Sequence, residues 1–284
     1  MIILDLNQTM ISNLMAQIGN HTNMEVKEDL LRHMVLNAIR SYRSKFSTEF
    51  GEIVIAADNK HYWRRDIFPY YKAHRKTQRE KSELDWNTIW EAMNHIKDDL
   101  RSHFPYKYID VAGAEADDVI GTICHEHGQQ LNIGEPILIL SGDKDFVQLQ
   151  TYANVQQYDP VRKTWITNSD PDRFLLEHIL SGDRGDGVPN ILSRDDCFIN
   201  GRQKPLRKTF IAKVIVEGGV DLPDEETRRN FARNKQLVDL KETPQNIKLN
   251  ILEEYEKPAN SRDNLFNYFI EKKLKGLIEY IGDF

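Results

Sequence analysis

The chain has 284 residues, 40% hydrophobic and 29% charged, with a formal net charge of −6 and two cysteines. That is enough for one large domain or two modest ones around a substantial core, and the composition is that of a soluble globular protein. No stretch approaches the roughly 18 apolar residues that cross a bilayer, no basic-then-apolar signal segment opens the chain, and Cys124 and Cys197 make neither a disulfide framework nor a metal-site spacing. An intracellular protein with two structural thiols and no membrane partner is expected.

Residues 2–6 begin a buried strand. Thr22 and Glu25 form a capping-box pattern for a helix from about Met24 to Phe46. Its apolar positions Val26, Leu30, Leu31, Met34, Val35, Ile39 and Tyr42 recur at helical spacing. Residues 52–57 read as a second buried strand. Residues 60–85 are aromatic and basic, then strongly polar, with no clean buried face, and read as a mobile element at the edge of a site. Trp86 to Phe104 predicts a helix through Ile89, Trp90, Met93, Ile96 and Leu100, stopped by Pro105. Strands over 106–111, 136–141 and 153–158 continue the series, with a helix from Ala114 to Gln130 between the first two. Such alternation implies an α/β fold with a parallel twisted sheet flanked by helices. From about Asp170 the strand signals disappear. The rest is helical and polar, with turns at Gly182–Gly187, Gly218-Gly219 and Pro258. A last helix carries Leu265, Phe266, Phe269, Leu274, Leu277, Ile278 and Ile281, which are expected to pack back onto the body. The expected division is an α/β domain over 1–170 and a helical domain over 171–284.

Carboxylates stand where the strands end. Asp5 closes Ile2-Ile3-Leu4, and Asp58 closes Ile53-Val54-Ile55-Ala56-Ala57. Glu115, Asp117 and Asp118 open a helix beyond Tyr108-Ile109. Asp143 and Asp145 follow Ile137-Leu138-Ile139-Leu140, and Asp183 and Asp186 sit in a glycine-rich turn. Asp110 reads as lying inside a strand and is left out. Each acid alone has an ordinary explanation as a turn former or a complement to a helix dipole. Those explanations do not account for the same event at four strand ends. In a parallel sheet these ends converge on the edge where ligands bind. Nine acids crowded there would raise one another's pKa values unless a cation lay between them. Hard divalent ions take oxygen ligands, and magnesium is the usual one near phosphates. The pattern predicts a metal-dependent phosphodiesterase site.

The net negative charge is no argument against a nucleic-acid partner, because location matters more than the sum. Setting nine acids aside from a charge of −6 leaves +3 for the remaining surface. Eight basic residues fall between Lys60 and Lys81 (Lys60, Arg64, Arg65, Lys72, Arg75, Lys76, Arg79, Lys81) against Asp66 and Glu80. A second run, Arg202, Lys204, Arg207, Lys208 and Lys213, contains no acid. An acidic hole between two basic surfaces has the electrostatics of a nuclease.

Several motifs now stand in order: Ile3-Leu4-Asp5-Leu6-Asn7-Gln8; Asp58-Asn59 with Tyr62-Trp63-Arg64-Arg65-Asp66; and Tyr70-Tyr71-Lys72 with Arg75 and Arg79. Glu115-Ala116-Asp117-Asp118 follows, then Ser141-Gly142-Asp143-Lys144-Asp145-Phe146 with Gln148-Leu149, and Gly182-Asp183 with Asp186. Together they resemble the structure-specific 5′ nucleases, a family of flap endonucleases and 5′–3′ exonucleases, over nearly the whole chain. The resemblance extends to the ribonuclease H branch of this family in T-even-type phages.

The resemblance implies a PIN-like nuclease core and two magnesium ions, with manganese able to substitute. Asp5, Asp58, Glu115, Asp117 and Asp143 would hold or orient the first. Asp145, Asp183 and Asp186, with Asp143 nearby, would hold the second, with Asp118 beside them. One metal supplies activated water near neutral pH and the other steadies the leaving oxygen, so no histidine or serine nucleophile is needed. It also implies a helical arch over about 60–85. There Lys72 and Arg79, seven residues apart and so two turns on one helix face, would grip the scissile phosphate beside Arg64, Arg65 and Arg75. Tyr70 and Tyr71 suit either base stacking or core packing, and His61 and His74 read as surface or phosphate-contact residues. Asp117 and Asp143 join Lys72 and Arg79 as the implied catalytic residues. A helix-hairpin-helix variant opening at Gly182–Leu192 would hold duplex, with Lys204, Arg207 and Lys208 behind it. Here the family's glycine hairpin is replaced by Val188-Pro189-Asn190-Ile191-Leu192-Ser193. A clamp contact through an N-terminal extension, as in the phage relatives, is expected to be absent or relocated.

The implied activity is removal of RNA primers and adjoining DNA from branched or nicked DNA and RNA–DNA hybrids with a 5′ end. The implied setting is phage replication in bacterial cytoplasm, by a monomer working with a single-stranded DNA-binding protein and a sliding clamp. Two other readings fit the acidic site: a single-strand ribonuclease and a non-catalytic protein that binds branched DNA. The basic C-terminal third weighs against the first, and the intact carboxylates weigh against the second.

Overall fold

The computed structural model describes residues 1–19, 27–129, 134–216, 222 and 224–284. The pair Thr22 and Glu25, the expected helix start at Met24, the helix end at Gln130 and the Gly218-Gly219 turn lie outside the described residues. Six strands form one sheet in the order β3-β2-β1-β4-β5-β6: Lys107–Ile109, Ile53–Ala56, Ile2–Asp5, Ile137–Leu140, Val155–Asp159 and Thr164–Ile166. The first five are parallel throughout. The last is an antiparallel edge strand that the sequence did not announce, since it has three residues and Trp165 is exposed on it.

The central strands are apolar without interruption because both their faces are buried. Side chains alternate across a strand, and the two sets enter different cores. Ile2, Leu4, Ile53, Ile55, Leu138 and Leu140 join one core; Ile3, Val54, Ile137 and Ile139 join the other. The first core is closed by α1 (Leu6–Gly19), α2 (Glu28–Phe50) and α5 (Trp86–His103). The apolar stripe Ile89, Met93, Ile96 and Leu100 is the buried side of α5, and Asp85 caps it by accepting from the amides of Asn87 and Thr88. Helix α1 is an addition to the expected elements. It starts on the residue after β1, which turns the Asp5 side chain toward the helix N-terminus, where Gln8 N–H donates to it at 3.0 Å.

Residues 60–85 differ from expectation. They hold α3 (Trp63–Ile67) and α4 (His74–Glu80), and Trp63, Phe68 and Tyr71 are buried. Phe68 and Tyr71 pack with Ile179, Val188, Leu237 and Val238, so C-terminal residues supply the apolar partners that the local sequence lacks. Lys72 lies before α4 at φ 55°, outside the helix that carries Arg79. The two therefore do not share a helix face as expected.

The second core is closed by α6 (Ala116–His127) with Leu240 and with Ile247 and Ile251 of α11 (Gln245–Glu256). Between these come α7 (Pro171–Ser181), α8 (Cys197–Asn200), α9 (Lys208–Val216) and α10 (Glu225–Val238). Finally α12 (Leu265–Glu271) and α13 (Lys275–Ile278) return to the first core through Leu265, Phe269, Leu274 and Leu277. Cys124 and Cys197 are buried free thiols. No described helix is long and apolar enough to cross a membrane.

Candidate active site

The connections step from β1 to β2 to β3 in one direction and then cross to β4 on the other side of β1. The order therefore reverses between β1 and β4, and ligands in such sheets bind in the crevice at the carboxyl ends there. Asp5 ends β1, and Asp143 lies three residues beyond β4. Asp58 follows β2, and Asp117 stands in the first turn of α6. A cleft of about 580 Å³ opens at this point, lined by Asp5, Asp58, Asp117, Asp143 and Asp186.

Little neutralises the floor of this cleft. Asp5 accepts from Gln8 N–H and from the Ser141 hydroxyl at 3.1 Å. Burial nevertheless pushes its pKa up to about 7, with Asp58 and Asp143 adding repulsion. Asp117 accepts no hydrogen bond from any described residue; burial, with Asp143, Glu115 and Asp5 nearby, raises it well above the carboxylate range despite Lys72. Burial raises Asp143 too, against an amide bond from Asp145. Asp58 is held by the Ala116 N–H at 2.7 Å and by the Asn7 amide. An all-oxygen donor set of this kind, with acceptors to spare, fits a hard divalent cation.

One wall of the cleft is built differently. Asp118 is fully buried and accepts from Arg64 Nη1 at 2.9 Å, from Trp63 Nε1, from the Thr243 hydroxyl at 2.7 Å and from Glu115 N–H at 2.9 Å. Burial opposes its charge, but Arg64 prevails and its pKa falls below the usual range. Arg64 also reaches Glu115 at 3.1 Å and gives Nε–H to the Leu237 carbonyl. Glu115 in turn meets Lys72 Nζ at 2.5 Å. The Tyr71 hydroxyl stands 2.9 Å from Glu115 and 2.8 Å from Asp186, and Arg75 bonds the other Asp186 oxygen at 2.6 Å. The Lys72 N–H donates to the Asp186 carbonyl, which fixes its left-handed backbone. Such a conformation in a non-glycine residue costs on the order of 1 kcal/mol or more and persists only when its surroundings over-determine it.

Beside the cleft lies a second group. Asp183 accepts from Gly185 N–H at 2.6 Å, from Lys144 Nζ at 3.0 Å and from His178 Nε2 at 3.1 Å. Burial would raise its pKa, but His178 and Lys144 hold it well below the carboxylate range. Asp145 lies 3.4 Å from the other nitrogen of His178 and is raised well above that range by burial and by Asp143. The carboxylates of Asp145 and Asp183 and the His178 imidazole could together hold a metal ion.

Of the nine predicted acids, five line the cleft, Glu115 stands in its wall, and Asp145 and Asp183 form the group beside it. Asp118 does not reach the cleft, because four donors hold its carboxylate inside the wall. Asp110 follows β3 rather than lying in it, and pairs with Arg101 and Asn59. Among the expected nucleic-acid contacts, Arg65, Lys72, Arg75 and Arg79 line the cleft with Lys60. Arg64 does not: it is 2% exposed and spent on two carboxylates. Lys204, Arg207 and Lys208 are exposed around the start of α9. Tyr71 is core, Tyr70 is exposed, and His61 pairs with Asp66. The sequence reading missed Trp90, Asn94 and Lys97, which line the cleft from α5. Their four- and three-residue spacing beside the apolar stripe was the available signal. It also missed His178, which no local pattern marks.

A sheet that gathers carboxylates at its switch point under a wall of cations defines a phosphodiesterase that uses divalent metal. Residues 2–176 match the family described as 5′-3′ exonuclease, N-terminal resolvase-like domain, and residues 170–284 match the one described as T4 RNase H, C terminal. The chain belongs to the 5′–3′ exonuclease family and is a nuclease. It is 31% identical over 295 aligned residues to the ribonuclease H of Enterobacteria phage T4, covering 99% of this chain and 95% of that protein. It is 30% identical over 137 residues to the flap endonuclease Xni of Shewanella pealeana, across 45% of this chain and 48% of that one. Among solved structures, the T5 D15 protein co-crystallised with metal ions overlays with a TM-score of 0.63 at 15% identity, covering 90% of this chain and 99% of that one. That likeness concerns the fold.

Proposed function

We propose that the chain is a magnesium-dependent 5′→3′ exonuclease and flap endonuclease that removes RNA primers and adjoining DNA from the lagging strand during phage DNA replication. The observation that carries this reading is the cleft itself: Asp5, Asp58, Asp117 and Asp143 line one space of about 580 Å³ together with Lys60, Arg65, Lys72, Arg75 and Arg79. Asp5, Asp58, Asp117 and Asp143 would hold one metal ion, with Glu115 orienting them; Asp145, Asp183 and Asp186 would hold a second. Bound there, two divalent ions supply activated water and a Lewis acid for the leaving oxygen.

The chain's own residues supply the rest. Lys72 and Arg79 offer cationic donors to the scissile phosphate, where charge builds in the transition state. The Asn7 amide, the Gln8 backbone N–H and the Ser141 hydroxyl hold the floor acids Asp58 and Asp5 in position. Both sides of the cleft come from one chain, which supports action as a monomer. The relative named ribonuclease H supports action on RNA–DNA hybrid, and the one named flap endonuclease supports action on branched DNA; a setting in bacterial cytoplasm belongs to the same proposal. Recruitment by a single-stranded DNA-binding protein or a sliding clamp belongs to the same proposal.

The test is a 5′-labelled flap, a nicked RNA–DNA hybrid and free single-stranded RNA, each with and without magnesium. Cleavage of the first two, only with the metal, is expected. Cleavage of free RNA alone would replace the proposal with a single-strand ribonuclease, and binding without cleavage would replace it with an accessory role.

A further inference from the structure

His178 is buried beside the cleft, 6% exposed, and the cleavage reaction as argued so far gives it no task. Its Nε2 lies 3.1 Å from Asp183 Oδ2 and meets it in a hydrogen bond. Asp183 is an acceptor there, so in the neutral ring the proton sits on Nε2 and the lone pair on Nδ1. That bare Nδ1 faces Asp145 Oδ1 at 3.4 Å, and both atoms are buried without a hydrogen-bond partner. Two acceptors facing each other in a protein interior are costly unless a proton or a metal ion joins them.

Their spacing says what would. Two ligand atoms bound at about 2.1 Å to one ion stand roughly 3.0–3.4 Å apart at octahedral to tetrahedral angles. A carboxylate on the far nitrogen of a ligating imidazole is the usual means of fixing its tautomer. Asp183 also carries Lys144 and two backbone amides, which suits an orienting carboxylate better than a ligand.

We propose that Asp145 Oδ1 and His178 Nδ1 chelate the second divalent cation, with Asp183 orienting the imidazole from behind. A mixed nitrogen–oxygen pair selects manganese, zinc or another first-row transition ion over magnesium, which takes oxygen ligands. The proposal rests on the two-metal reading of the site and changes the identity of one ligand and one ion.

The test is pulsed EPR on the full chain loaded with manganese alone. Nitrogen modulation of the kind given by a directly bound imidazole is expected in the parent. It should vanish in His178→Gln, whose amide can still donate to Asp183, and persist in His74→Gln, the other imidazole near Asp183 and Asp186. Calorimetry on His178→Gln should show one manganese ion bound on the order of 10- to 100-fold more weakly, with a smaller change for magnesium. A parent without the nitrogen signal overturns the proposal, whatever the variant does, and so does a signal that survives His178→Gln. Flap cleavage with magnesium but no nitrogen signal leaves the nuclease reading intact and removes this one. A nitrogen signal without flap cleavage under either magnesium or manganese keeps the site and removes the flap assignment.

Discussion

Asp117 and Asp118 are neighbours in sequence and opposites in chemistry. One turns into the cleft, accepts no hydrogen bond from the described residues and is pushed toward its neutral form by burial and by other acids. The other turns into the wall, accepts from four partners and is kept ionised by Arg64. A helix rotates about 100° per residue, so adjacent positions in its first turn look in different directions. An acid with partners stabilises the fold, whereas an acid without them is strained until a cation arrives. A related division separates Glu115 and Asp118, which meet Arg64 or Lys72, from Asp5 and Asp143, which accept only from uncharged donors.

The largest effects should come from breaking the two acids separately. Asp117→Asn should lower cleavage of a flap by at least about 1000-fold, since it removes preorganised charge from the reacting centre. Its thermal midpoint in chelator should be unchanged or higher. Asp118→Ala should do the reverse in kind: removing one partner of a buried ion pair costs about 3–5 kcal/mol, read as a drop in urea midpoint. Normal turnover by Asp117→Asn would sink the division, as would unaltered stability of Asp118→Ala.

Lys72 tests the boundary between wall and cleft. Its ammonium pairs with Glu115 and Asp186, and those charges raise its pKa against the pull of burial. If it serves the transition state, Lys72→Ala should bind a flap nearly as well as the parent yet turn over roughly 100- to 1000-fold more slowly. Lys76→Ala, exposed on α4, should lose little. Equal behaviour of the two variants would reduce Lys72 to general charge.

The comparison also marks what could be read in advance. The core strands and their terminal acids were legible because buried parallel strands are apolar runs, and an acid closing such a run can lie only at the sheet edge. The sequence could not show which acids are paired, because pairing depends on Arg64 meeting Asp118 and on the Leu237 carbonyl 173 residues away. Arg64 was misplaced for the same reason: a basic residue in a basic stretch looks exposed until its partners are known. Residues 60–85 looked unanchored because Phe68 and Tyr71 find their apolar contacts in residues 179–238. The antiparallel strand Thr164–Ile166 was too short to carry a pattern, and helix α1, although apolar at Met10 and Leu14, was passed over behind the strand.

Acidity should read out both classes. Asp5 keeps its proton up to about pH 7, while in the unfolded chain it ionises near 3.8. Between those values the native state binds more protons, so stability in chelator should fall as pH rises. Asp118 and Asp183 have lowered pKa values, and their contribution is lost only as pH falls below the ordinary carboxylate range. Magnesium must displace the floor protons. Its apparent affinity should therefore climb up to about tenfold per pH unit per proton released, and flatten above about 7. Magnesium should also raise the melting temperature, because it binds the native state. A pH-independent affinity would show that the floor acids are already ionised.

The smallest effect concerns the second basic surface. Lys204, Arg207 and Lys208 stand exposed where the chain enters α9, outside the cleft lining, and no acid interrupts the run from Arg202 to Lys213. Exposed cations of this kind act on a nucleic acid by releasing counterions, and each phosphate contact contributes close to one unit to the salt slope of binding. Arg207→Ala with Lys208→Ala should therefore weaken binding to duplex-bearing substrates and lower that slope by about two units. Turnover of saturating substrate should stay near the parent value, because neither side chain lies against the carboxylates. A slope unchanged across a salt series would mean that the phosphates follow a different path, and the run would then be a solvated surface. A fall in saturated turnover, without a change in slope, would instead tie these residues to the position of the scissile bond.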